Sequence, residues 1–268
     1  MGELIFIGLG LSDELDLSLR AVEELRKTDH VFAEFYTSVM PSISLKNLER
    51  IIGKRVTVVS RKTLEDENGE CILSKAGRAN VALLVPGDPL IATTHVALRI
   101  EAEKRGIKTR VIHGVSIISA AIGLSGLQNY RFGRTVTIPF SEQGIISETP
   151  YEVISENKAR NLHTLCFLDI DVEKQRYLSI DEAFKMLLTV EERKRKGIIN
   201  MDAIAVVIAR AGSKDALMKA GRISELLTMN FGPPPYTLIF IADKLHFMEA
   251  EALMRFADAP ESIKERIG

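Results

Sequence analysis

The chain has 268 residues, of which 46% are hydrophobic, enough for one large or two modest folded domains. Its 35 basic and 36 acidic residues give a formal charge of -1, so no overall positive field favours nucleic acid or a membrane surface. With two cysteines, Cys71 and Cys166, the chain favours a reducing compartment over a disulfide framework. The sequence shows neither a secretory leader nor a run of ~18 apolar residues, which predicts a cytoplasmic protein.

Five short apolar segments in the first half predict strands, and apolar residues at helical spacing between them predict helices. One such helix follows Ser44 and ends at Gly53, residue types that commonly cap helices. Alternating strands and helices are typical of a mostly parallel sheet, so we predict an α/β fold. The predicted strands cover residues 4–7, 31–33, 56–59, 81–85 and 110–112.

The fourth strand is followed by Pro86-Gly87-Asp88-Pro89. Pro86 cannot donate to a sheet ladder, and Gly87 admits backbone conformations closed to other residues. Asp88 before Pro89 resembles the first turn of a helix, so a tight acidic turn should lead directly into one. Ligands of open α/β sheets bind outside the carboxyl ends of the strands, which makes this turn a candidate binding site. A strand-to-helix turn without a ligand is the alternative.

The first strand is followed by a glycine turn, Gly8-Leu9-Gly10-Leu11. A dinucleotide-binding fingerprint needs a third glycine at position 13, where Asp13 stands instead. Asp13 and Glu14 would also repel a pyrophosphate. The turn therefore favours a neutral or cationic ligand.

The second half contains four further predicted strands, at residues 136–138, 164–168, 204–208 and 238–241. Capping boxes beginning at Thr149 and Ser179 predict helix starts, and a last helix is expected over about residues 246–257. His113-Gly114 leads into an apolar helix rich in small residues, and we place the domain boundary there. The predicted domains are residues 1–113 and 114–268, both α/β.

Metal chemistry and nucleophilic hydrolysis both lack a sequence signature. The five histidines are scattered and no cysteine cluster is present, so we predict no metal site. No Gly-x-Ser-x-Gly elbow occurs, and Cys166 lies inside an apolar segment. What remains is a set of turns after strands, which together could line one cleft with backbone groups and apolar side chains.

Taken in order, these turns resemble the tetrapyrrole methylase superfamily, the class III methyltransferases that use S-adenosylmethionine. The resemblance rests on the first glycine turn, on Pro86-Gly87-Asp88-Pro89, on Ser116 at the start of a helix and on residues 209–213, Ala-Arg-Ala-Gly-Ser. Residues 32–38, 87–95 and 167–170 are similar to the branch of this superfamily that modifies translation elongation factor 2. The resemblance covers nearly the whole chain.

This resemblance implies two α/β domains with S-adenosylmethionine in the cleft between them, usually in a homodimer. It implies methylation of the amino group of a 3-amino-3-carboxypropyl group on a histidine of elongation factor 2, on the route to diphthamide. S-adenosylhomocysteine would be the second product, and neither nucleic acid nor a membrane is an expected partner. One of the cofactor contacts that the resemblance implies lies at Tyr236, and there we expect a contact through the backbone and not through the side chain. Matched position by position, the implied cofactor contacts are Leu11, Asp88, Ile91, Ser116, Ile117, Leu168, Ala211 and Tyr236.

The residues agree with a cationic ligand, since the acidic turn at Asp88 suits a sulfonium. Methyl transfer is an in-line displacement that needs an unprotonated, aligned nitrogen, so positioning is expected to dominate catalysis. Glu34, Tyr36 and His95 follow the strands closely and are substrate-side candidates for accepting the proton. A structural role is the alternative for each, because polar residues after strands often make loop hydrogen bonds.

Two other functions stay open from the sequence. A methyltransferase of the same superfamily could act on a tetrapyrrole or on an RNA ribose, although the near-neutral charge disfavours RNA. A non-catalytic metabolite-binding module could use the same cleft. Turnover on a defined acceptor separates these alternatives from the favoured function.

Overall fold

The computed structural model describes residues 2–268, which divide into two compact units. The N-terminal unit runs up to Ile117 and includes Val172–Lys174; the C-terminal unit comprises Ile118–Asp171 and Gln175–Gly268. The domain boundary between residues 113 and 114 stays a prediction. No helix within residues 2–268 is long and apolar enough to cross a membrane.

The N-terminal unit is built on a five-stranded sheet with the order β3-β2-β4-β1-β5, in which every neighbouring pair is parallel. The predicted parallel α/β arrangement is confirmed. Its strands are β1 (Glu3–Gly8), β2 (His30–Ala33), β3 (Val56–Val58), β4 (Val81–Val85) and β5 (Lys108–Ile112). The helices of the first half are α1 (Leu19–Lys27), α2 (Leu45–Ile52), α3 (Glu70–Ala76), α4 (Val96–Lys104) and α5 (Ile117–Ser125).

Both faces of this sheet are covered by helices. Successive side chains of a strand point to opposite faces, so neighbouring residues of β1 enter different cores. Phe6 packs with α3 and α4, whereas Ile7 packs with α1 and α2. All five residues of β4 are buried, which explains why this strand is an unbroken apolar run in the sequence.

The C-terminal unit contains a mixed five-stranded sheet with the order β11-β10-β12-β7-β6. Only the β6–β7 pair is parallel; the other three pairs are antiparallel. The strands of this half are β6 (Val136–Ile138), β7 (Thr164–Leu168), β8 (Ile170–Asp171), β9 (Arg176–Tyr177), β10 (Ile204–Ala209), β11 (Leu217–Arg222) and β12 (Tyr236–Phe240), with β8 and β9 forming a separate hairpin. Its helices are α6 (Thr149–Ala159), α7 (Ile180–Lys194), α8 (Ile223–Leu226) and α9 (Phe247–Ala257).

Helix ends follow the sequence in most places. Ser44 caps α2, Gly53 ends it in the left-handed region with φ 72°, and Ser179 forms a complete capping box on α7. The predicted cap at Thr149 is wrong, because α6 already includes Thr149 and Glu148 precedes it without a side-chain cap. Pro150 does occupy the first turn of α6, the position that tolerates its missing N–H.

Candidate functional site

The turns at the carboxyl edge of the parallel sheet lie side by side. The strand order places the turn after β4 between the turns after β2 and β1, with the turn after β5 on the far side of β1. The register pairs Gly8 with Val85 and Ile7 with Ile112, so these strands end at the same level. The connections leaving β1 and β4 run to opposite sides of the sheet, to β2 and β5. Such a switch between neighbouring strands is where α/β proteins bind ligands.

Glycines bring three of these turns into backbone contact. Gly10 donates its N–H to the Gly87 carbonyl at 3.2 Å, and Gly87 donates to the Gly10 carbonyl at 2.7 Å. A Cβ atom at Gly114 would lie 2.3 Å from the Gly87 oxygen, and one at Gly8 would lie 2.4 Å from the Gly114 nitrogen. Side chains at Gly8 or Gly114 would therefore push these turns apart.

Asp88 is almost buried, with 6% of its surface exposed, and both of its carboxylate oxygens have partners. Oδ1 accepts the Leu90 N–H at 3.2 Å, and Oδ2 lies 2.7 Å from Nδ1 of His113. The predicted helix start at Asp88 is wrong, since α4 begins only at Val96. Ala92 lies between them in the left-handed region with φ 56°, and the chain there is an irregular loop. We call residues 88–94 the acidic loop.

The glycine turn after β1 is organised by Asp16. One oxygen of its carboxylate, Oδ2, accepts the backbone N–H groups of Leu11 at 2.9 Å and Ser12 at 2.7 Å. A phosphate bound at a glycine turn needs free amides of this kind. Both amides already donate to Asp16, so they are poorly placed to bind a phosphate, and the carbonyl is the remaining backbone polar group of Leu11.

The other predicted contacts of this unit surround these turns. Ile91 lies within the acidic loop and is 45% exposed, so it offers apolar surface to a ligand. Ser116 and Ile117 are half-buried where the chain enters α5, directly after β5 and the His113-Gly114 turn.

The three substrate-side candidates form one buried group. Glu34 is fully buried, His95 is 2% exposed and Tyr36 is 5% exposed. Nε2 of His95 lies 3.1 Å from Oε1 of Glu34, and the Tyr36 ring meets the His95 ring edge-on at 6.1 Å. Burial, and then the nearby carboxylates of Glu34 and Glu65, raise the pKa of Tyr36. Within residues 2–268 its hydroxyl makes no hydrogen bond of regular geometry.

In the C-terminal unit, the register brings the remaining three predicted contacts together. Ala209 at the end of β10 pairs with Tyr236 at the start of β12, and Thr237 pairs with Phe167 of β7. Leu168 is the last residue of β7 and Ala211 follows the end of β10 by two positions, at this same edge of the sheet. Leu168 and Ala211 are largely buried, and burial raises the pKa of the half-buried Tyr236.

Arg210 organises this edge, a role that sequence reasoning missed. Its backbone N–H donates to the Pro235 carbonyl at 2.8 Å. Its buried guanidinium donates to the carbonyls of Phe231 at 2.6 Å and Pro233 at 2.7 Å, and to that of Asp215 at 3.0 Å. Arg210 has a left-handed backbone, with φ 51°. The sequence carries no signal for its role, since Phe231 and Pro233 lie more than twenty positions away and only Asp215 is near in sequence.

A metal centre is not formed by the described part of the chain. Residues 2–268 contain no group of three or more histidine, cysteine or acidic side chains arranged to hold an ion.

The chain is an α/β protein with candidate binding turns at the edges of its two main sheets, and comparison with known proteins identifies its class. Residues 3–227 match the sequence model of the Tetrapyrrole (Corrin/Porphyrin) Methylases. The diphthine synthase of Methanosarcina mazei is 48% identical over 98% of this chain and 99% of its own length. That of Methanocella arvoryzae is 48% identical over 95% of this chain and 98% of its own. A crystal structure of diphthine synthase has a TM-score of 0.89 at 41% identity, covering 99% of this chain and 100% of that one.

The chain therefore belongs to the tetrapyrrole methylase family and, within it, to the diphthine synthases. It is a methyltransferase of that family. The family predicted from the turns and the α/β fold are both confirmed.

Proposed function

We propose that this chain transfers methyl groups from S-adenosylmethionine to a 3-amino-3-carboxypropyl group on a histidine of translation elongation factor 2. The product is diphthine, on the route to diphthamide. The observation that carries this proposal is the likeness to diphthine synthases, which extends over 98% of the chain and 99% of the relative's length. We further propose that the protein is a cytoplasmic homodimer with domains at residues 1–113 and 114–268.

The turns of the N-terminal unit fit this cofactor. S-adenosylmethionine supplies a methyl group bound to a positively charged sulfonium. Asp88 places a nearly buried negative charge at the sheet edge, where it suits cationic groups or hydroxyl donors. Ile91 and Ile117 offer apolar surface, while Leu11 and Ser116 offer polar groups. The amides of the glycine turn are engaged by Asp16, so the same turns are poorly suited to a phosphate.

The C-terminal unit contributes a second set of proposed cofactor contacts. Leu168 and Ala211 present small or apolar side chains at the edge of the mixed sheet, and Tyr236 begins the strand between theirs. Arg210 fixes the backbone on either side of Ala211 and before Tyr236 through its carbonyl contacts. At Tyr236 we propose a backbone contact, since its hydroxyl already donates to the Gly232 carbonyl.

The chemical step places modest demands on the side chains. The leaving thioether is neutral, so no strong acid is required. The attacking amine must lose a proton and be aligned with the methyl group, which makes orientation the main contribution of the protein. Glu34, Tyr36 and His95 remain substrate-side candidates, but their burial favours an orienting role over direct proton transfer.

The test is mass spectrometry of elongation factor 2 that carries the aminocarboxypropyl histidine, after incubation with the protein and S-adenosylmethionine. We expect mass gains in methyl steps on that histidine alone, and the number of steps gives the endpoint. Elongation factor 2 with an unmodified histidine is the matched control and should gain nothing. Calorimetry with S-adenosylmethionine measures cofactor binding separately. Binding without any gain on the modified protein would contradict the proposed acceptor.

A further inference from the structure

The carboxylate of Glu34 is fully occupied by hydrogen bonds from inside the protein. Oε2 accepts the backbone N–H groups of Tyr36 at 2.9 Å and Thr37 at 3.0 Å. Oε1 accepts the Thr37 hydroxyl at 2.5 Å and contacts Nε2 of His95 at 3.1 Å. The Glu34 N–H in turn donates to the Leu84 carbonyl of β4 at 3.1 Å. A buried, saturated carboxylate is poorly placed to take a proton from a substrate, but it holds its surroundings firmly.

His95 joins this carboxylate to a different turn. It lies 61 positions further along the chain, at the last residue before α4, and its carbonyl accepts the Arg99 N–H inside that helix. Its ring is enclosed, with 2% of the side chain exposed, and the edge of Tyr36 packs against it. His95 therefore ties the start of α4 to the turn after β2.

The acidic loop lies between two anchored points. At its beginning Asp88 is held by Leu90 and His113. At its end the chain is held by the contact between His95 and Glu34. Between these points the loop contains no helix or strand, and Ala92 adopts a left-handed conformation. The Thr93 hydroxyl donates to the Pro89 carbonyl at 2.8 Å and the Thr94 hydroxyl to Oε1 of Glu65 at 2.9 Å. Asp88 and Ile91 thus lie on a segment that is tied to the rest of the unit at both anchors.

We propose that Glu34 and His95 form a positioning pair that fixes the acidic loop in its ligand-binding conformation. This inference rests on the proposed function, because the acidic loop carries Asp88 and Ile91, two proposed cofactor contacts. The pair acts through the loop and does not exchange a proton with the substrate. Its loss should weaken S-adenosylmethionine binding and slow methyl transfer without altering the residues that contact the cofactor.

Two substitutions at one position test the pair. His95→Phe keeps a planar ring but removes the nitrogen that contacts Glu34. We expect the Kd for S-adenosylmethionine to rise about tenfold or more, because binding sites are sensitive to displacements of ~1 Å. His95→Gln retains an N–H donor able to reach Glu34 and should restore most of the affinity. Calorimetry measures the Kd, and single-turnover methylation of modified elongation factor 2 measures the chemical step. If His95→Phe does not fold, His95→Asn, whose shorter amide falls short of Glu34, replaces it.

A matched control separates positioning from stability. Leu48 is equally buried but packs on the opposite face of the sheet, so Leu48→Ala should lower the melting temperature and leave the Kd unchanged. The proposal is overturned if His95→Phe lowers the melting temperature but leaves the Kd and the transfer rate at wild-type values. It is equally overturned if His95→Gln is no better than His95→Phe.

Amide hydrogen exchange provides a readout that needs no cofactor. The proposal predicts faster exchange across residues 88–94 in His95→Phe than in the wild type or in Leu48→Ala. Unchanged exchange there would contradict the pair's role whether or not the cofactor binds. A wild-type protein that does not bind S-adenosylmethionine would instead contradict the proposed function, so the two failures are distinguishable.

Discussion

At the scale of single residues, Asp88 carries the one charge at the turn between β4 and α4. Asp88→Asn keeps an oxygen that can accept the Leu90 N–H but removes the negative charge. We expect S-adenosylmethionine binding to weaken about 10- to 100-fold, since hydrogen bonds to charged groups contribute about 1.5 to 3 kcal/mol. Isothermal calorimetry at fixed ionic strength measures the change.

Asp66→Asn is the control for this substitution, because it removes the same charge from an exposed position of the same unit. It should leave the cofactor Kd within the error of the measurement. Equal affinities of wild type and Asp88→Asn would remove Asp88 from the set of cofactor contacts. The melting temperature of each variant shows whether a loss of affinity reflects a loss of fold.

Gly114 is required by space rather than by backbone conformation. A Cβ atom there would overlap the Gly87 carbonyl at 2.3 Å and the Gly8 Cα at 2.8 Å. Gly114→Ala should destabilise the protein by about 1 to 3 kcal/mol, as overpacking commonly does, and should also shift the acidic loop. Urea unfolding followed by circular dichroism gives the free energy of unfolding.

The same substitution at Gly123 should have the opposite sign. Gly123 lies in α5, and beyond its own helix backbone no atom lies within 4 Å of an added Cβ, so Gly123→Ala should stabilise the protein by about 0.5 to 1 kcal/mol. If Gly114→Ala also leaves the stability unchanged or raises it, the close contact of the turns after β1, β4 and β5 is not needed for folding.

At the scale of whole elements, the sequence predicted the central strands β1, β2 and β4 of the parallel sheet well because each is a mostly buried apolar run. It missed β11, an edge strand whose residues include Lys219 and Gly221 and whose first half is only partly buried. A partly exposed edge strand loses the uniform apolar signal of a central one.

The acidic loop shows a different limit of local sequence patterns. Asp88-Pro89 has the composition of a helix start, yet the Thr93 hydroxyl donates to the Pro89 carbonyl at 2.8 Å and Ala92 turns left-handed. Local side-chain hydrogen bonds of this kind compete with helix formation. The contact of His95 with Glu34 spans 61 positions and has no local signature at all. Candidate residues could thus be selected from the sequence, but their partners and burial could not.

Arg210 links two turns of the mixed sheet, and its role belongs to this scale. The guanidinium contacts carbonyls from the turn after β10 and from the proline-rich segment before β12. Arg210→Lys should lower stability by about 2 to 3 kcal/mol, because one ammonium cannot reach all three carbonyls and those left buried lose their partner. Affinity for S-adenosylmethionine should fall with it if Ala211 and Tyr236 are contacts.

Lys214→Ala in the same turn is the control for Arg210→Lys. Lys214 is exposed, so its removal should change the free energy of unfolding by less than ~0.5 kcal/mol. Thermal unfolding and cofactor calorimetry on both variants provide the comparison. If Arg210→Lys and Lys214→Ala have the same stability and the same affinity for the cofactor, the guanidinium of Arg210 does not stabilise this edge of the mixed sheet.

At the scale of the whole molecule, a net charge of -1 at pH 7 means that overall charge repulsion is small near neutral pH, so the charges that matter there are those of individual carboxylates. The pKa values of Glu14, Glu191 and Glu249 are all lower than usual. Burial alone would raise each pKa, but the hydrogen bonds that each carboxylate accepts lower it by more. The Ser44 N–H acts on Glu14, and the Ile199 N–H is the largest such contribution on Glu191. Every one of these groups stabilises the folded chain in its charged form.

Glu249 should make the largest contribution to the pH dependence of folding. It is fully buried and contacts His163 and Arg131. Burial raises its pKa, but its hydrogen bonds, above all the one from His163, lower the pKa by more, to about 2. Nδ1 of His163 accepts the Ala242 N–H at 3.0 Å, which leaves Nε2 as the donor to Glu249.

A carboxyl whose pKa is lower in the folded than in the unfolded chain stabilises the fold above the unfolded value of 4.5, and that stability disappears as the pH falls towards 2. The lowering corresponds to about 3 kcal/mol, so Glu249→Gln should lose about that much at pH 7. It should also show a flatter dependence of the free energy of unfolding on pH between 5 and 2. Glu251, two positions further along α9 and paired with Arg255 on the surface, is the control, and Glu251→Gln should cost less than ~1 kcal/mol. Urea unfolding at a series of pH values measures both effects, and parallel profiles for the two variants would show that the buried carboxylate does not control acid stability.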